Sequence, residues 1–195
     1  METKYDDHDM KDIENIDLSK CKQYKAAPFS EHPKTIRQHA IERAAKMLAL
    51  RPYARQELYR KLIDRGFPIP AAIAAIDRMD ELGALNDETY GESLVERYLK
   101  KGYGPLRIEI ELYKVGIDQE IRDLLLERLP EEQELAMRYL SRTCDPDDLE
   151  DQVYRNKLAN TMKRNGYHWG VIHEGMRQYQ NEAPQRKEQE TEENR

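Results

Sequence analysis

Lysine and arginine residues occur together with tyrosine in three segments of this 195-residue chain. Lysine and arginine bind the phosphates of a single-stranded nucleic acid, and aromatic rings stack on its bases without sequence preference. The candidate contact residues are Arg55, Lys61, Arg65, Lys100, Lys101, Tyr103, Arg107, Lys114, Lys157, Lys163 and Arg164. The same bases could instead form ion pairs on ordinary helix surfaces, with Glu57, Asp64, Glu109 and Glu111 as partners. The sequence leaves both interpretations open.

Other kinds of site find little support in the residue types and their spacing. His168 and His173 are five residues apart, whereas a pair four apart would place two imidazoles on one helical face, so a structural role is the better interpretation. The Gly-Tyr-Gly segment at residues 102–104 lies between two predicted helices and follows no strand, which excludes a dinucleotide-binding turn. No serine or cysteine lies in a recognisable nucleophile motif. We therefore predict a protein that is not an enzyme and that uses no metal or cofactor.

Charge and cysteine content narrow the possible classes of protein. The formal net charge is −6, and much of it lies in the tails. Residues 1–31 contain eight acidic and five basic residues, and residues 182–195 contain five and three. The body between them is near neutral, so any surface for nucleic acid must be local. Two distant cysteines and the lack of a long apolar stretch predict a cytoplasmic protein without a membrane partner.

Three glycines that stand fifty residues apart, Gly66, Gly116 and Gly166, end similar segments. An alignment without gaps superimposes three sets of apolar residues: Leu58, Ile108 and Leu158; Leu62, Leu112 and Met162; and Phe67, Ile117 and Tyr167. Apolar residues four apart, repeated at a fixed period, are typical of repeated helical units. We expect each glycine to adopt the left-handed conformation that follows a helix end.

These patterns predict an all-α protein, a tandem array of three three-helix repeats that is elongated and has disordered acidic termini. The predicted boundaries are a flexible acidic tail at residues 1–33, repeats at 34–84, 85–130 and 131–180, and a second tail at 181–195. Within the third repeat, Asp145-Pro146 is expected to open one long helix that ends at Asn165. Stacked helical units form extended surfaces that bind macromolecules.

The segment Lys100–Ile108, with the sequence KKGYGPLRI, resembles the central signature of the RecX family. The likeness continues through Glu111-Leu112 and Gly116-Ile117. Two further motifs occur in the family's order, namely Arg55-Gln56-Glu57-Leu58 followed by Lys61-Leu62 and Gly66-Phe67, and Leu85-Asn86-Asp87-Glu88 with Tyr90. The resemblance covers about residues 36–180 and is strongest in the first two repeats.

The resemblance implies a function and its partners. RecX proteins are bacterial regulators that bind the RecA filament on single-stranded DNA and catalyse no reaction. They mainly inhibit the recombinase, ATPase and coprotease activities of RecA in DNA repair and the SOS response. RecA is thus the expected partner of a monomeric chain, and direct contact with the single strand is left open. Two alternatives remain, a helical-repeat module that binds nucleic acid without RecA and a scaffold for an unrelated protein.

Overall fold

The computed structural model describes the backbone of residues 33–193 and the side chains of residues 36–182. Within this range the chain forms nine α-helices and one 3-10 helix and contains no strand, which confirms the all-α prediction. The predicted N-terminal tail lies outside the described residues except for Pro33, which begins the first helix. The elements are α1 (Pro33–Leu48), α2 (Arg55–Ile63), α3 (Ile69–Glu81), α4 (Asp87–Lys100), α5 (Pro105–Val115), α6 (Gln119–Glu127), α7 (Glu132–Thr143), the 3-10 helix (Pro146–Glu150), α8 (Gln152–Arg164) and α9 (Trp169–Glu193).

The three glycines of the repeat end α2, α5 and α8 in the same way. Their φ angles are 85°, 88° and 91° at Gly66, Gly116 and Gly166, so the predicted left-handed helix ends are confirmed. After each glycine, the N–H of a buried apolar residue donates to the carbonyl five residues earlier. These bonds join Phe67 to Leu62, Ile117 to Leu112 and Tyr167 to Met162, each at 3.2 Å. The fifty-residue period therefore reflects the same helix-ending motif at three equivalent positions.

The chain divides into two compact units, Met1–Tyr90 and Gly91–Arg195. In the described part of the first unit, α1 packs mainly along α3. Small side chains permit this close approach, because the fully buried residues of the two helices include Ala40, Ala44, Ala72 and Ala75. Leucines of α2, Leu58 and Leu62, are also fully buried in this core.

The second unit has its own core, to which α7, α8, α9 and the 3-10 helix contribute. Tyr167 is its largest fully buried side chain. The single hydroxyl hydrogen of Tyr167 is shared between two acceptors, the carbonyl oxygens of Gly102 at 3.3 Å and Leu135 at 3.4 Å. Burial, reinforced by the neighbouring Tyr139, raises the pKa of Tyr167 above its ordinary value. Tyr167 thus completes the helix-ending motif after α8 and also connects distant parts of this unit.

The third repeat differs from the prediction that Asp145-Pro146 opens one long helix to Asn165. Asp145 caps only the 3-10 helix, where its carboxylate accepts the N–H of Asp147 at 3.1 Å. Asp151 then caps α8 separately, because its carboxylate accepts the N–H of Val153 at 2.8 Å. The prediction was wrong because aspartates compete for nearby backbone N–H groups, and two of them here each start a helix.

The C-terminal helix also has different bounds from those predicted. Helix α9 continues to Glu193, past residue 181, where the sequence predicted that a disordered tail begins. Glutamate, glutamine, lysine and arginine are favourable helix residues, and they dominate this stretch. Disorder beyond residue 181 stays a prediction, since the side chains are described only to Glu182. Among the described residues, no helix combines the length and the apolar character that crossing a membrane requires.

Candidate partner-binding surface

Backbone hydrogen bonds in the second unit join two segments that we call the junction, residues 100–107 and residues 163–167. The N–H of Gly104 donates to the carbonyl of Asn165 at 2.8 Å, and the N–H of Leu106 donates to the carbonyl of Gly166 at 3.2 Å. The junction therefore places the backbone of the Lys100–Arg107 signature beside the end of α8. Six predicted contact residues lie in it, namely Lys100, Lys101, Tyr103, Arg107, Lys163 and Arg164.

Glycine is required in the junction because the two backbones approach so closely. A Cβ atom on Gly104 would lie 2.7 Å from the carbonyl oxygen of Gly166, and one on Gly166 would lie 2.2 Å from the backbone nitrogen of Arg107. A Cβ on Gly102 would lie 2.8 Å from the ring of Tyr139. The sequence analysis placed the Gly-Tyr-Gly segment at residues 102–104 only between two predicted helices, and it missed this contact with the distant end of α8.

The ring of Tyr103 packs against other side chains of the protein and is not freely available to a partner. This ring stacks on Tyr98, with ring centroids 5.7 Å apart and an interplanar angle of 19°. The guanidinium carbon of Arg107 lies 5.5 Å from the centroid of the Tyr103 ring. The amine of Lys101 lies 5.7 Å from the Tyr98 ring. Tyr103 is half-buried in this arrangement, so stacking on a base would compete with an existing stack.

Four of the predicted contact residues form ion pairs, as the alternative interpretation expects. Glu111 accepts from both Arg107 at 2.9 Å and Lys114 at 3.0 Å. The two remaining pairs are Arg55 with Asp80 at 2.5 Å and Lys100 with Glu96 at 2.9 Å. Of the acidic partners named from sequence, Glu111 is confirmed and Glu57 pairs with Arg51 instead of a candidate residue. Asp64 and Glu109 form no ion pair with other described residues.

Six other candidate bases have no carboxylate partner among the described residues. They are Lys61, Arg65, Lys101, Lys157, Lys163 and Arg164. Arg65 donates to the backbone carbonyl of Lys61 at 2.9 Å, and Arg164 donates to the hydroxyl of Thr161 at 3.1 Å. Neither bond neutralises the positive charge. The structure therefore separates the predicted set into bases held by acids and bases whose charge is uncompensated.

A network in the first unit connects Asp87 and Tyr90, two residues of the second sequence motif, with the segment around α2. Arg51 pairs with Glu57 at 2.5 Å and donates to the hydroxyl of Tyr90 at 3.2 Å. The hydrogen bond that Arg51 donates to the Glu57 carboxylate raises the pKa of Arg51. The Arg51 guanidinium also lies 3.6 Å from the centroid of the Tyr53 ring. Asp87 accepts the N–H of Arg55 at the start of α2, at 2.8 Å. Sequence reasoning missed this network, in which residues of the Asn86–Tyr90 motif contact α2.

The two neighbouring histidines, His168 and His173, have separate partners within the protein. The Nδ1 atom of His168 lies 2.8 Å from a Glu132 carboxylate oxygen, and the His168 N–H donates to the other oxygen at 2.6 Å. The ring of His173 packs edge-on against Trp169, with centroids 4.8 Å apart. Within the described residues, no group of three or more histidine, cysteine or acidic side chains is placed to hold a metal ion.

Cys144 provides a test of the third-repeat packing. Burial, followed by the charges of Asp148 and Asp145, raises the pKa of its thiol to about 11. At pH 8 the thiolate should therefore be about 100-fold scarcer than for an ordinary cysteine. In a Cys21→Ser variant, we expect alkylation by iodoacetamide to be slowed by a similar factor in the folded protein. The control is the same variant unfolded in urea, and equal rates in the two states would contradict this packing.

Two family models match the chain: "RecX, first three-helix domain" at residues 40–79 and "RecX, second three-helix domain" at residues 86–126. The regulatory protein RecX of Stenotrophomonas maltophilia (strain R551-3) is 32% identical over 131 residues, which cover 67% of this chain and 80% of the relative. The chain belongs to the RecX family. The regulatory protein RecX of Pseudomonas fluorescens is 43% identical over 88 residues, which cover 45% of this chain and 57% of that protein.

A solved RecX structure shares the fold. The crystal structure of RecX from Lactobacillus salivarius has a TM-score of 0.64 and 19% sequence identity, and the match covers 75% of this chain and 97% of the other. The Lys100–Ile108 signature lies within the second RecX domain match. The Leu85–Tyr90 motif crosses the N-terminal edge of that match. Their roles in the junction and in the Arg51 network give a structural reason for the motifs on which the RecX resemblance rested.

Proposed function

We propose that this RecX chain binds the filament that RecA forms on single-stranded DNA and inhibits the recombinase, ATPase and coprotease activities of RecA. The observation that carries the proposal is membership of a family whose relatives are named regulatory proteins. The uncompensated bases support it, because a filament presents both protein surface and phosphates. The proposed role is non-catalytic, and the proposed state is a cytoplasmic monomer.

The proposed domain organisation follows the helices. Three three-helix repeats, at residues 34–84, 85–130 and 131–180, would each contribute one base-bearing helix, respectively α2, α5 and α8. The first two of these ranges contain the RecX domain matches. The proposed contact residues are the candidate set, with the six uncompensated bases favoured over the four that already form ion pairs.

A binding experiment tests the proposal. The full chain, labelled at Cys21, is titrated with RecA filaments assembled on oligo(dT) with a slowly hydrolysed ATP analogue, and fluorescence anisotropy is recorded. RecA alone and oligo(dT) alone are the matched controls. We expect the filament to bind more tightly than either component. Equal affinity for the filament and for bare oligo(dT) would contradict the proposal.

The second candidate function is nucleic-acid binding without RecA, and the six uncompensated bases favour it. In that case bare oligo(dT) would bind as tightly as the filament, and the affinity would fall steeply with salt because phosphate contacts release counterions. Lack of oligo(dT) binding at 50 mM salt would exclude this candidate and leave the RecA proposal intact.

A further inference from the structure

Helix α8 differs in charge from every other helix of the described chain. Its sequence, QVYRNKLANTMKR, contains four bases and no acidic residue, whereas each of the other helices contains at least one aspartate or glutamate. Leu158, Ala159 and Met162 face the core. Lys157 and Arg164 are seven residues apart and exposed, so they lie on one line along the outer face, and the exposed Lys163 flanks them.

The surroundings of α8 leave this charge uncompensated at its C-terminal end. The Glu132 carboxylate, near the C-terminal end of α8, is already bound to His168. The acidic groups that adjoin the helix in sequence precede it, at Asp145, Asp147, Asp148, Glu150 and Asp151. A 13-residue helix is about 20 Å long, so these groups lie well away from Lys163 and Arg164. At the C-terminal end the junction instead supplies the segment that bears Lys101, which also lacks a carboxylate partner.

A simpler explanation is that bases in the last helical turn complement the helix dipole. That explanation accounts for Lys163 and Arg164, and most helices of this chain have a base in the last turn. It does not account for Lys157 in the middle of α8. Nor does it account for the absence of acids, since the other helices combine such bases with acids.

The residue types on the outer face favour phosphates over an acidic protein. Protein interfaces are enriched in aromatic residues and depleted in lysine. The exposed residues of α8 are the amides Gln152, Asn156 and Asn160, the bases Lys157, Lys163 and Arg164, and a single apolar residue, Val153, with no aromatic residue among them. Amide and cationic side chains together are the groups that contact the sugar–phosphate backbone.

We infer that the outer face of α8, carrying Lys157, Lys163 and Arg164, holds the phosphate backbone of single-stranded DNA. The inference deepens the proposed function, because it assigns one surface to the nucleic acid of the filament and leaves the remaining candidate bases to RecA or to folding. We expect the contact to be independent of sequence, because phosphate contacts carry no sequence information and no aromatic residue is exposed on this face.

The test measures oligo(dT) binding by the full chain without RecA, so it can fail independently of the proposed function. Loss of three phosphate contacts in K157Q/K163Q/R164Q should reduce the slope of log affinity against log salt by about 2. The loss of affinity should then be about 20-fold greater at 50 mM salt than at 200 mM. Unchanged thermal unfolding of the variant would show that the helix is intact.

The matched control is R78Q/R138Q/R177Q, which removes the same charge from three exposed arginines. Each of them already pairs with an acid in its own helix, Glu81, Glu134 or Glu174. We expect this control to keep the parental slope. An equal loss in the control, or no oligo(dT) binding by the parent at 50 mM salt, would overturn the inference. Equally tight binding of poly-glutamate would also overturn it and indicate an acidic protein partner.

Discussion

Replacing Gly166 with alanine is expected to lower the free energy of unfolding of the second unit by about 2–5 kcal/mol. Two effects add. The residue has φ of 91°, which costs an L side chain about 1–2 kcal/mol. Its Cβ would also lie 2.2 Å from the backbone nitrogen of Arg107, so the two segments of the junction must separate. Denaturant unfolding followed by circular dichroism measures the change.

Gly83 supplies the matched control for this prediction. Its φ is also positive, at 64°, but a Cβ there would meet no atom within 4 Å. Gly83→Ala should therefore show only the conformational cost, about 1–2 kcal/mol. If the two variants lose the same stability, the junction is not as close as the structure indicates.

Leu112→Ala is expected to have the second large effect, a loss of about 2–5 kcal/mol, because it leaves a cavity at a fully buried position. Leu112 is the central member of the repeated apolar set, and its carbonyl accepts the N–H of Ile117. Ile110→Ala, at a position that is 47% exposed on the same helix, should lower the stability much less. Thermal unfolding of the two variants side by side tests this, and similar melting temperatures would contradict the assignment of the core face of α5.

The helix ends were predictable because their cause is local. In each repeat the left-handed glycine and its two apolar partners span six residues, and the hydrogen bond that closes the motif joins Phe67 to Leu62, or their equivalents. Spacing alone therefore identified both the conformation and the residues that would be buried. The all-α class followed from the same periodicity.

The sequence predictions failed in two situations: where two capping residues compete to start a helix, and where contacts join residues far apart in the sequence. Asp145 and Asp151 are both good helix caps, and the sequence did not indicate that each would start its own helix. The junction joins Gly104 to Asn165, and Arg55 pairs with Asp80 rather than with an acid in its own helix. No spacing rule predicts such contacts, because they depend on how separate helices pack. The division of the candidate bases into paired and uncompensated groups needed the structure for this reason.

The central claim is regulation of RecA, and the most direct test is the rate of single-strand-dependent ATP hydrolysis by the cognate RecA as this protein is titrated in. RecA without DNA is the control for background hydrolysis. The account predicts that the rate falls while the protein is still scarcer than RecA, because one bound chain would affect several subunits of a filament. A rate that stays constant up to equimolar protein would contradict it.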